Sequence, residues 1–105
     1  MKNIQLDLNL ATRIGLHESV VLTCLHEELK AGVEYAERPW VVRSFAEWHT
    51  AIPCFAAVGI RKIVKRLRDK RIIITRLVRY GEYYQLWMTI EYHRLAALGI
   101  TLEGE

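Results

Sequence analysis

Apolar residues recur along this chain at two spacings, and the switch between them lays out its elements. Val21, Leu22, Leu25 and Leu29 follow the three-and-four spacing of one buried helical face, which predicts a helix from about His17 to Lys30, ended by Gly32. Leu8 to Ile14 reads as a short helical turn closed by Gly15. A polar stretch with Glu34, Glu37, Arg38 and Pro39 reads as a loop, and Trp40 to Arg43, short and rich in β-formers, as a brief strand. Ser44 with Glu47 three residues later is a capping-box signature, so a second helix starts there. It carries Phe45, Trp48 and Ile52 on one side and stops at Pro53.

A third helix is predicted from Ala56 or Ala57 to Lys70. At about 100° of rotation per residue, Ile60, Ile63, Val64 and Leu67 form a narrow stripe. Arg61, Lys62, Lys65, Arg66 and Arg68 fall on the remaining arc, so one side should be core and the other cationic. Arg71 to Val78 is β-branched and too short for another helix. Tyr83 to Ile90 places Tyr84, Leu86, Met88 and Ile90 on one face. With Tyr80-Gly81-Glu82 as the turn, these two segments should pair as a hairpin. Tyr92 to Leu98 reads as a last short helix that stops at Gly99.

Helix, short strand, helix, tight connection, basic helix and hairpin is the order of a winged helix-turn-helix. The expected class is therefore mainly α with a small β-hairpin (α+β): a three-helix core plus a wing, as one domain over residues 1–105. Ile60 to Arg71 would be the recognition helix, and the hairpin around Gly81 a short wing.

Charge sharpens this expectation. Between Arg61 and Arg79 the chain carries nine basic residues against one acid, Asp69, a net of +8, while the remainder nets −5. A mildly acidic body with one concentrated basic element is the electrostatic footprint of a nucleic-acid-binding module. The candidate DNA contacts are Arg61, Lys62, Lys65, Arg66, Arg68, Lys70, Arg71, Arg76 and Arg79. By position along the helix, Arg61, Lys62 and Lys65 are candidates for base edges, and Arg66, Arg68, Lys70 and Arg71 for phosphates. Trp40, Trp48 and Trp87 sit at helical and strand spacings that usually mean core rather than base stacking.

Other chemistries find little support. No apolar run approaches the ~20 residues of a membrane span, and Asp7 and Arg13 break the N-terminal stretch, so a cytoplasmic location without membrane contact is expected. Cys24 and Cys54 read as buried or semi-buried free thiols, and His17, His26, His49 and His93 lack metal-ligand spacing. A glycine-rich phosphate loop, paired carboxylates and a nucleophile beside a base are all missing from the sequence, which argues against an enzyme and calls for no cofactor.

Arg38-Pro39-Trp40-Val41-Val42, Glu47-Trp48, Ile52-Pro53, the run Ile60 to Leu67, and Trp87-Met88-Thr89-Ile90-Glu91-Tyr92 occur here in that order. Together with Ile14-Gly15-Leu16-His17-Glu18 and Leu25-His26, this set resembles the N-terminal winged-helix domain of phage and plasmid replication initiator or replisome-organiser proteins. The resemblance spans about Leu8 to Leu95. It implies binding of double-stranded DNA at an origin or fork, with homodimerisation and contact with replication proteins. A transcriptional regulator on the same fold, or a protein-interaction module without DNA affinity, fits the same pattern of elements.

Overall fold

The computed structural model describes residues 8–100 and Leu102. Along the chain come α1 (Leu8–Ile14), α2 (Leu16–Leu29), β1 (Val33–Tyr35), β2 (Arg38–Val42), α3 (Phe45–Ala51), α4 (Ala57–Asp69), β3 (Ile73–Tyr80), β4 (Tyr83–Ile90) and α5 (Tyr92–Ala97). The strands form one antiparallel sheet in the order β1-β2-β4-β3. Side chains alternate across a strand, and the inward set (Val41, Ile73, Met88 and Ile90) is buried with residues of all five helices. The helices therefore cover one face of the sheet.

This architecture corrects the expected fold class. The three-helix core with a small hairpin wing is replaced, among the described residues, by five helices and a four-stranded sheet. The predicted polar loop is itself a hairpin, β1 to β2, with Val33 opposite Trp40 and Tyr35 opposite Arg38. Its turn residues Ala36 and Glu37 both have positive φ (53° and 65°), the signs of a tight hairpin turn. Asn-Gly would have advertised that turn; Ala-Glu does not. With only three residues, Val33-Glu34-Tyr35, β1 is also too short for its alternation to mark a strand. The hairpin around Gly81 is also no short appendage, since both its strands run for eight residues and β4 pairs with β2 as well.

Individual elements follow their local chemistry. Ser44 Oγ accepts from the Glu47 amide, and the Glu47 carboxylate accepts from the Ser44 amide, both at 3.1 Å. Gly15 (φ 103°) separates α1 from α2, and Gly99 (φ 75°) closes α5. Gly32 serves a close approach: a Cβ there would lie 2.7 Å from the Trp40 carbonyl oxygen. The end of α4 is a Schellman motif in which the Ile72 amide donates to the Leu67 carbonyl and the Arg71 amide to that of Arg68. Leu67 and Ile72, both fully buried, supply the apolar contact that accompanies it.

Candidate nucleic-acid interface

Helix α4 is held from below by Ile60, Ile63, Val64 and Leu67, all buried, and its remaining arc is exposed. At about 100° per residue, Val58, Lys62, Lys65 and Asp69 point most directly away from the core. Arg61 and Arg68 flank them on one side, and Arg66 and Lys70 on the other.

These cations divide by what they already hold. Arg66 Nη1 donates to Glu18 Oε1 at 3.0 Å, Lys70 Nζ donates to the Ile14 carbonyl at 3.2 Å, and Lys65 pairs with Asp69 one turn on at 3.3 Å. The Arg61 guanidinium lies 5.3 Å from the centroid of the Phe45 ring, a cation–π contact that fixes it against α3. The side chains of Lys62, Arg68 and Arg71 have no hydrogen-bond or ion-pair partner among the described residues. Arg68 and Arg71 line, with Arg94, a cleft beside the start of β3.

Glu18 shows how far Arg66 is committed. Burial pushes its carboxyl up, but the Arg66 hydrogen bond, an amide hydrogen bond and the charges of Arg66 and Lys70 outweigh it and hold the group below its ordinary value of 4.5. The outcome is an anion anchored on α2 that draws one flank of α4 inward.

The hairpin separates the two arginines assigned to it. Arg79 alternates with Ile73, Thr75 and Leu77, on the side of the sheet the helices cover, whereas Arg76 belongs to the opposite face with Ile74, Val78 and Tyr80. Arg79 sits beyond the core, next to exposed Leu77 and opposite exposed Tyr84, and its Nε donates to the Gly81 carbonyl at 3.1 Å. Of the two hairpin arginines, Arg79 therefore lies on the helix side of the sheet and Arg76 on the other face.

Two positions at the start of α4 escaped the sequence reading. Val58 is 63 % exposed, an apolar residue on the outward arc, and a side chain at Gly59 would meet open space. The signal for Val58 was its phase, about 160° from Ile60 at ~100° per residue.

Among the described residues, no group of three or more His, Cys, Asp or Glu side chains is placed to hold a metal, and no helix is long and apolar enough to cross a membrane. Cys24 is half-buried; Cys54 is exposed, against the expectation of a covered thiol. His26 is buried and hydrogen-bonded to the Tyr92 hydroxyl at 2.8 Å. Comparison of the chain with protein-family models, with curated proteins and with solved structures finds no match.

Proposed function

We propose that this protein binds duplex DNA by laying the exposed face of α4 in the major groove, with the Arg79 end of the β3–β4 hairpin meeting the flanking backbone. The observation that carries the reading is the set of cations around α4 whose side chains have no partner among the described residues: Lys62 on the outward arc with the apolar Val58, Arg68 on its flank and Arg71 just past its end. The major groove admits one α-helix. Val58 can contact a thymine methyl and Lys62 a guanine edge, while Arg68 and Arg71 meet phosphates.

Arg71 adds a second support. It occupies the left-handed conformation (φ 62°) that closes α4, where glycine would sit without strain. A strained cation kept beside two other arginines fits a residue retained for its charge. Arg66 has a structural role in this scheme, and Arg76 faces elsewhere. Replication initiation of a mobile element is the process we favour, on the residue pattern from Arg38 to Tyr92 that resembles such initiators.

The deciding experiment is a titration with random-sequence duplex. For the three phosphates assigned to Arg68, Arg71 and Arg79, log K falls against log salt with a slope of about −2.7, so binding weakens about 40-fold from 50 to 200 mM. A folded domain with no duplex affinity at 50 mM salt would instead be an interaction module docking an acidic protein.

A further inference from the structure

The face of the sheet away from the helices is also chemically specialised. Strand register places Tyr35, Trp40, Trp87, Tyr80, Tyr83 and Arg76 on it. Of the two tryptophans on this face, Trp40 is buried and Trp87 half-buried. The Trp87 ring meets Tyr35 edge-on at 5.8 Å between centroids and Trp40 at 6.2 Å, forming a platform across three strands. Tyr35 is 53 % exposed, and Tyr80 and Tyr83, paired at the turn end, are 71 % and 76 % exposed. At about 3.3 Å per residue, Tyr83 lies roughly 13 Å along β4 from Trp87.

Charge decides what such a face suits. Its strand positions include two arginines, Arg38 and Arg76, and no carboxylate. Arg38 pairs with Glu91 at the margin, while Arg76, directly opposite Trp87, has no partner among the described residues. A protein partner would have to desolvate that arginine; an unpaired nucleic-acid strand supplies a phosphate for it and bases for the rings. Aromatic rings interspersed with cations on an open sheet are how single strands are held without sequence preference.

We propose that this outer face binds single-stranded DNA, with bases stacked on Tyr35, Trp87 and Tyr83 and a phosphate on Arg76. The cleft lined by Arg68, Arg71 and Arg94, three arginines against the one carboxylate of Glu91, also takes in Ile74, an outer-face residue, so it joins the end of α4 to this face around the open edge of β3. A strand separating from a duplex on α4 has a cationic route there. The choice of DNA rests on the duplex reading; the stacking surface does not.

The test uses an oligothymidylate of about twelve nucleotides, which cannot form a duplex, followed by anisotropy and tryptophan fluorescence at low salt. The expected result is binding with quenching. Tyr35→Ala, Tyr83→Ala and Arg76→Ala should each weaken it about tenfold while leaving duplex affinity unchanged. Tyr35→Ala keeps the backbone carbonyl that accepts from Trp40 Nε1, and circular dichroism checks that the fold is kept. Oligothymidylate binding without duplex binding would sustain this proposal and sink the duplex reading. Three results would overturn the proposal: no oligothymidylate binding by a domain that binds duplex, loss of it in Lys62→Ala/Arg68→Ala but not in the outer-face variants, or self-association in sedimentation that Tyr83→Ala abolishes.

Discussion

Arg66 Nη1 donates to Glu18 Oε1 at 3.0 Å, joining the flank of α4 to the first turn of α2 across 48 residues of sequence. The carboxylate side chain is 10 % exposed and the arginine 54 %, so the pair is half screened by solvent. It holds α4 in place and withdraws one cation from any ligand.

That division of labour separates three variants. Arg66→Ala should destabilise the fold by about 1 kcal/mol, discounted from a fully buried pair because Arg66 is half exposed, and should leave the salt slope of duplex binding unchanged. Lys62→Ala should leave the urea midpoint unchanged and relax base preference at one position, and Arg68→Ala should reduce the slope by about 0.9. Reversed effects would reassign Arg66 to the DNA and Lys62 to the fold.

Acid stability follows from the same carboxylate. The folded-state pKa of Glu18 lies below its ordinary value of 4.5. Its contribution is therefore complete above the unfolded-state pKa and is lost as pH falls through the folded-state value. Glu18→Gln still accepts a hydrogen bond but does not titrate, so thermal melts below pH 4.5 should fall less steeply than those of the parent. Parallel acid limbs in the two proteins would remove Glu18 from this role.

Arg71→Gly is expected to move stability and binding in opposite directions. Relief of the left-handed strain at φ 62° should raise stability by up to about 1 kcal/mol. Loss of the charge should weaken duplex binding uniformly across sequences, because a phosphate contact carries no base information. A variant less stable than the parent would show that Arg71 makes structural contacts.

At the start of α4, Val58→Ser should relax base preference at one or two positions of a selected site, by about tenfold or less, with overall affinity little changed. A base-substitution scan reads this directly. Uniform weakening at every position would place Val58 at the backbone or in the fold.

Core packing sets the largest expected loss of stability. Leu67 is fully buried and anchors both the α4 stripe and the Schellman contact with Ile72, so Leu67→Ala should cost about 2 to 5 kcal/mol in urea melts. Ser44→Ala should cost about 1 kcal/mol through the lost cap of α3.

What the sequence determined by itself was local. The Ser44 and Glu47 pair announced the start of α3, the three-and-four spacing from Ile60 to Leu67 set the buried face of α4, and Gly99 marked the end of α5. Each of these rests on interactions within a few residues, where side-chain type alone dictates geometry. The tertiary structure decided everything that depends on pairing across distance. β1 exists because Val33 to Tyr35 find β2, through a turn whose Ala36 and Glu37 carry no turn signature. Trp48 and Trp40 are buried while Trp87 stands half-exposed on the outer face, a difference that follows from strand register rather than composition. The basic run was legible as charge, but its partition was not. Glu18 draws Arg66 inward from 48 residues away and β-strand alternation turns Arg76 from Arg79, because a charge takes its role from the groups that folding brings beside it.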